Sequence, residues 1–304
     1  LIRSDATKSE KGRYCLIPYF PFDGQPYQPK MGLKPLDRKN WLEFDGQHLP
    51  HLALKKKLFQ TERDTVLQIK AGSEAACLEL HSTLRVHILN QHPEFFREEG
   101  GKILAIATGE RFGEPKDAEE ALEQISRWGQ EDWCLVDPGA PFSVIAGFVC
   151  FPSRWSLREK MGRTPDGVHE GVPSYNNFLA APVRNFFEKL IPERPMWRLN
   201  WTIHDSDQLF CPGPHSSGKT LNADNVLENC FLRVERQTLS RLPQTGAIAF
   251  SIRTHLHPLL AAIDTPERKR LALDSILGLP LETALYRGMG PFLEPLKEAL
   301  GRNG

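Results

Sequence analysis

The sequence predicts an α+β protein: a mainly helical first third, an antiparallel sheet in the middle and a helical tail. Three observations carry this reading. Apolar residues recur at helical spacing before residue 130. From 131 to 258, β-branched and aromatic runs are separated by turn residues. After 259 helical spacing returns, broken by glycines. The chain has 304 residues, long enough for one large domain or two ordinary ones. Lys and Arg together number 38, as do Asp and Glu, so the formal net charge is zero. That balance argues against a globally basic nucleic-acid or polybasic membrane binder. No run of apolar residues is long enough to span a bilayer.

Taken in order, residues 1–36 read as an N-terminal arm. The first thirteen are charged and polar. The remainder (YCLIPYFPFDGQPYQPKMGLKPL) is too rich in proline for a helix or a central strand, and its aromatics suggest that it wraps over a folded body. Residues 37–130 form a mainly helical region packed on the core, with helices expected over 49–60, 64–89 and 117–128. Residues 131–258 are the core. The stretches DWCLVD and SVIAGFVCFP predict a hairpin, followed by a short helix at 155–161, the loop GRTPDGVHEGVPS and a helix over 175–191. Three strands are then expected at Met196–His204, 231–239 and 247–255. Residues 259–304 form the helical tail, with breaks at Gly278, Gly288 and Gly290. Two strands, a helical crossover and three strands is the order of a PAS-like domain, whose antiparallel sheet has one face covered by helices.

The six cysteines form no C-x-x-C pair, which argues against a zinc ribbon or a four-cysteine iron–sulfur cluster in this chain. Buried free thiols in a reducing compartment fit better, and a cytoplasmic location is expected, with an upstream targeting segment left open because the chain starts at Leu1. The stretch 213–220 (GPHSSGKT) satisfies G-x-x-x-x-G-K-[ST]. A phosphate loop needs a buried strand before it and a helix after it. Here the flanks are polar and Pro212 and Pro214 bracket the first glycine, so a polar loop is expected.

Among ten histidines, His255 and His257 share one face of a predicted strand. His169 lies in the glycine- and proline-rich crossover loop, and His204 ends the strand MWRLNWTIH as its competitor for a ligand role. In LRVERQTLSRL (232–242), alternation puts Arg233, Glu235 and Gln237 on one face. If that face points inward, it is a buried polar set that needs partners, and such sets cluster at functional sites. Arg154, Arg198 and Arg253 stand at element edges, where they can meet carboxylates of the protein or of a cofactor.

The segments MGLKPLDRKNWLEFD, FPSRWSLREKMG, VHEGVP, RPMWRLNWTIHD and LRVERQTLSRLPQTGAIAFSIRTHLHPL occur in this order. Together they resemble the haem-dependent oxidative N-demethylase (dimethylamine monooxygenase) alpha-subunit family over roughly residues 14–290. The resemblance implies a haem b oxidoreductase that uses O₂ to remove an N-methyl group from a small secondary amine such as dimethylamine, releasing a shorter amine and formaldehyde. Electrons would come from NADPH through the flavin and iron–sulfur cluster of a separate reductase, since this chain has neither a G-x-G-x-x-G unit nor a cysteine cluster. It further implies His169 as axial iron ligand and Glu235, with Arg233 as its charge partner, on the iron's open side. Arg154, Arg198 and His204 are the remaining cofactor-binding candidates. The loop departs from the expected pattern at Glu170 and Gly171, which leaves the substrate open. The competing reading is a haem-PAS sensor of gas or redox state without turnover; a P-loop nucleotide binder ranks below both.

Overall fold

The two longest strands, β9 (Phe231–Arg241) and β10 (Ile248–Pro258), pair along their whole length as a hairpin. They lie at the centre of a seven-stranded sheet in a computed structural model that describes residues 17–214 and 217–302. The other strands are β1 (Lys34–Pro35), β2 (Leu67–Ile69), β6 (Asp132–Val136), β7 (Val144–Phe148) and β8 (Met196–His204). Their order is β1-β8-β9-β10-β6-β7-β2, with every neighbouring pair antiparallel. The core therefore has the expected order of two strands, helices and three strands. The short helices α5 (Leu157–Lys160), α6 (Pro165–Val168) and α7 (Tyr175–Phe178) and the longer α8 (Ala180–Lys189) form the crossover between β7 and β8.

Local chemistry explains where these helices start. Ser156 and Glu159 make a capping box on α5. Thr164 caps α6, with Pro165 at the first helical position, where a missing N–H costs nothing. The expected helix over 175–191 is divided at Leu179 into α7 and α8.

Two differences from the sequence reading have a tertiary cause. The expected helix over 64–89 is divided into α2 (Arg63–Val66), strand β2 and α3 (Glu74–Gln91). Leu67 and Ile69 pair with Phe148 and Ala146, so the open edge of β7 captures three residues that local periodicity assigns to a helix. Gly72, at φ +89°, makes the turn that follows. The region before 130 also holds a small separate sheet of β3 (Phe96–Glu99), β4 (Lys102–Ala105) and β5 (Arg111–Phe112) beside α1 (His48–Thr61) and α4 (Ala118–Ser126).

Both faces of the main sheet are covered, not one. On the front, Val136, Leu239 and Ile248 pack with Phe142, Phe186, Phe187 and Leu190, and Cys134 and Val144 with Leu157, Met161 and Val168. On the back, α1, α3 and α4 cover the β6–β7 end through Leu58, Phe59, Leu80, Leu84 and Leu122, packed with Trp133, Leu135 and Phe148. The tail covers the β8–β9 end. It comprises α9 (Val226–Asn229), α10 (Leu259–Ala262), α11 (Pro266–Leu277), α12 (Leu281–Tyr286) and α13 (Leu293–Gly301), and its Ala272, Ile276 and Leu296 join Ile203, Leu232 and Val234.

The described part of the arm wraps the body as expected. Phe22 is buried edge-on to Trp201, with ring centroids 4.8 Å apart, and the Tyr27 amide donates to the Gly278 carbonyl at 3.2 Å. Residues 1–13 and Cys15 lie outside the described residues. The five described cysteines, Cys77, Cys134, Cys150, Cys211 and Cys230, are buried free thiols.

Candidate active site

The register of β8, β9 and β10 sets Asn200, Glu235 and Thr254 side by side, with Thr202, Arg233 and Leu256 as the adjoining row. Alternation therefore places Arg198, Asn200, Thr202, Arg233, Glu235 and Gln237 on the front face, toward the crossover helices. The polar set read from β9 does point inward. Arg233 is 0% and Glu235 7% exposed.

Donors surround the Glu235 carboxylate. Arg233 Nε reaches one oxygen at 3.3 Å, and the Gln237 and Asn200 side-chain amides reach the other at 3.1 and 3.4 Å. An ionised carboxylate has about four lone-pair sites, so one acceptor position remains. Arg233 is fixed independently by the Phe151 carbonyl at 2.5 Å and the Thr254 hydroxyl at 3.2 Å. It is thus a rigid charge partner, and Glu235 keeps its direction without a ligand.

His169 follows α6 directly, and its position depends on that short helix. The Thr164 cap and Pro165 start the turn, and the Pro165 carbonyl accepts the His169 Nδ1–H at 2.7 Å. The proton is thereby placed on Nδ1 and the lone pair on Nε2. Among the described residues Nε2 meets no hydrogen-bond partner. Burial above all, with the Arg198 charge adding to it, holds the imidazole pKa below its ordinary value and the ring neutral. Such a ring is a ready ligand for a metal approaching from one side.

His204 lies on the same sheet face but is committed elsewhere. It is buried, and its Nε2 shares a hydrogen bond with the Ser153 hydroxyl at 3.0 Å. Arg154 sits at φ +62° and reaches Asp205 at 3.3 Å and the Arg287 carbonyl at 3.0 Å. Arg198 differs from both. It is half-buried, its buried Nε has no partner, and among the described residues it ends on no carboxylate.

The back face carries a second polar network. Glu43 accepts from His255 Nε2 and pairs with Arg236 at 3.1 Å, while Asp45 pairs with Arg253 at 2.6 Å. Burial opposes ionisation of Glu43, but the His255 hydrogen bond and the Arg236 charge outweigh it and hold its pKa below the ordinary range. His255 therefore belongs to a network that clamps the 41–47 loop onto the sheet, with His257 stacked beside it and its buried Nε2 unpartnered among the described residues. Among the described residues, no group of three or more His, Cys, Asp and Glu is arranged to hold a metal ion. The phosphate-loop match lies in a loop, and His215 and Ser216 fall outside the described residues. The Ser217 amide donates to the Asp205 carboxylate at 2.9 Å, which is the wrong charge for a phosphate neighbour.

A family model described as haem-dependent oxidative N-demethylase, alpha subunit-like, matches residues 32–297. The chain belongs to that family. The match spans the sheet, the crossover and the tail, so everything on the front face lies inside it.

A haem of such a demethylase needs an imidazole lone pair, an apolar slot and cations for its propionates. The front face offers an imidazole, apolar side chains and cations. His169 offers Nε2, and Trp155, Met196 and Phe250 are half-buried apolar walls between sheet and crossover. Among the described residues the buried Nε of Arg198 and Nη1 of Arg287 lack partners, as do Arg233 Nη1 and Arg253 Nε, and of these four side chains only Arg198 and Arg287 make no ion pair. For this N-demethylase family member the sequence reading missed Asn200, which the same alternation in MWRLNWTIH would have found. It also missed Tyr175 and Arg287, which no local pattern marks. No described helix is long and apolar enough to cross a membrane.

Proposed function

We propose that this chain is the haem-carrying oxygenase component of an oxidative N-demethylase acting on a small secondary amine such as dimethylamine. The observation that carries this reading is the poised His169: Nδ1 tied to a backbone carbonyl and Nε2 without a partner among the described residues, on the crossover that packs on the same sheet face as the buried Glu235 carboxylate. When bound, haem b would supply activation of O₂ at its iron. Overall, the amine, O₂, two electrons and two protons give the demethylated amine, formaldehyde and water; one oxygen atom ends in the aldehyde and the other in water. The electrons come from a separate reductase carrying flavin and an iron–sulfur cluster and fed by NADPH. The words "alpha subunit" in the family description agree with a partner protein.

This chain's own residues would act as follows. His169 Nε2 holds the metal from the crossover side. Glu235 uses its remaining acceptor position to take an N–H of the ammonium or a water proton, and so orients the amine and moves protons. Arg233, Asn200 and Gln237 keep that carboxylate aimed, and Arg233 balances its charge. Among the other candidates, Arg198 suits a propionate, whereas Arg154 and His204 act as supports of the neighbouring loops through Asp205 and Ser153.

The test is reconstitution of the purified protein with haem, followed by assay of formaldehyde from dimethylamine with O₂ and a reductase. Wild type should load haem one to one, with a Soret band near roughly 400 nm for the ferric form. H169A should lose uptake while H204A retains it. Full loading of H169A would overturn the ligand assignment, and loading without turnover would favour the gas- or redox-sensing alternative.

A further inference from the structure

Five arginines project from strands β8–β10, and four end on complementary groups. Arg236 pairs with Glu43, Arg253 with Asp45 and Arg233 with Glu235, while Arg241 is held by the Leu190, Phe187, Pro138 and Gly246 carbonyls. Arg233 Nη1 and Arg253 Nε are buried without a hydrogen-bond partner, but each of those side chains is paired with a carboxylate; the exception is Arg198, whose buried Nε lacks a partner and which makes no ion pair among the described residues. A second guanidinium has the same defect. Arg287 follows α12, where the tail passes around the edge of β8, and the Thr202 hydroxyl donates to its carbonyl at 3.2 Å. Its guanidinium lies 4.6 Å from the Trp201 ring and 5.6 Å from the Tyr27 ring, and its buried Nη1 has no partner. Beyond Trp197, β8 has no strand on its outer side among the described residues, because β1 covers only Met196 and Trp197. Tyr27, from the wrapping arm, is electrostatically coupled to both arginines. Two cations with unfilled donors thus lie within electrostatic range of each other at the edge of β8, beside a tyrosine; neither makes an ion pair among the described residues, and the Glu235 charge acts on Arg198 without a salt bridge. Buried polar groups are almost always satisfied, and a guanidinium fork matches a carboxylate.

We propose that Arg198 and Arg287, bordered by Tyr27, form a carboxylate-binding pair at the open edge of β8. The carboxylate has two possible sources, and both rest on the functional reading above: a haem propionate, or an acid group on the amine substrate whose ammonium end meets Glu235. Arg287 is the residue this adds to the site, and it makes the tail a part of the ligand site as well as a cover for the sheet.

Two probes separate the sources. Apo-protein is titrated with haem and with haem dimethyl ester by the Soret band, and with N,N-dimethylglycine and dimethylamine by calorimetry, for wild type, R198Q, R287Q and R198K. If the pair holds a propionate, R198Q and R287Q bind haem at least tenfold more weakly than wild type, R198K retains part of the affinity, and the dimethyl ester binds all four proteins alike. If it holds a substrate carboxylate, haem binds alike but N,N-dimethylglycine binds at least tenfold more weakly to the glutamine variants, with dimethylamine unaffected. Apo R198Q should unfold at or above the wild-type temperature, because it removes an unpaired buried cation; a purely structural arginine would lower it. Equal binding of haem and of N,N-dimethylglycine by wild type and both glutamine variants overturns the proposal. Failure of wild type to bind haem overturns the haem reading alone, and the pair then stands or falls on N,N-dimethylglycine; no binding of either probe overturns both.

Discussion

His169 and Tyr175 stack ring on ring, with centroids 4.4 Å apart and planes 7° from parallel. Tyr175 is buried at 2% exposure, and it and the Pro165 carbonyl together fix where the imidazole points. Y175F keeps the stacked face and should leave haem uptake and unfolding temperature near wild type. Y175A removes a buried ring, a loss on the order of 3–5 kcal/mol by analogy with other aromatic truncations, and frees the His169 ring to rotate. Thermal unfolding and Soret titration check both variants; a Y175A protein with wild-type stability would show that the ring is not part of the packing.

Arg233 and Glu235 are a buried pair on one strand, and Glu235 is the only carboxylate that Arg233 meets among the described residues. Breaking one side of such a pair strands a charge, at a cost of roughly 3–5 kcal/mol, whereas removing both is much milder. E235Q and R233M should each lower the urea midpoint strongly, and the double variant should recover part of the loss. Purely additive losses would mean that the two side chains are not coupled.

Gly288 sits at φ +74°, and a β-carbon there would lie 2.5 Å from Arg154 Nη1. G288A therefore combines a left-handed backbone, at about 1–3 kcal/mol for a non-glycine residue, with displacement of the guanidinium that reaches Asp205. Thermal unfolding should register the loss. An unchanged midpoint would contradict this packing of the tail on Arg154.

Three histidines, His51 and His257 buried and His87 half-buried, are held neutral chiefly by desolvation: the pKa is pushed down to about 3 for His51 and to about 4 for each of the others. The ordinary value is 6.5, so between about pH 6.5 and 4 the unfolded chain binds more protons than the folded one. Stability is then full near pH 7 and falls with pH through that window, by about 1.4 kcal/mol per pH unit for each histidine at full slope. Glu131, whose pKa burial raises, works in the opposite direction. Chemical denaturation at pH 7, 6 and 5 should show the decline, and H257F should flatten it. A level profile would mean that these rings are not buried as neutral groups.

Much of the fold and part of the site were legible in the sequence. The β8–β10 strands and the inward polar set of Arg233, Glu235 and Gln237 follow from alternation, because a strand's period of two fixes which side chains share a face. His169 was findable from its glycine- and proline-rich loop and its motif. Other features needed contacts between distant segments. Leu67–Ile69 became a strand only because the β7 edge was open to it. His204 and His169 look alike as isolated histidines; Ser153 occupies the nitrogen of one, and a backbone carbonyl leaves the other's Nε2 open. Arg287 carries no local signal at all, and comes within electrostatic range of Arg198 because the tail turns around the edge of β8. Periodicity and motif are local quantities, written along the chain. Which polar atoms find partners, and which stay open for a ligand, is decided by residues as far apart in sequence as Gly24 and Ser275 that only packing brings together.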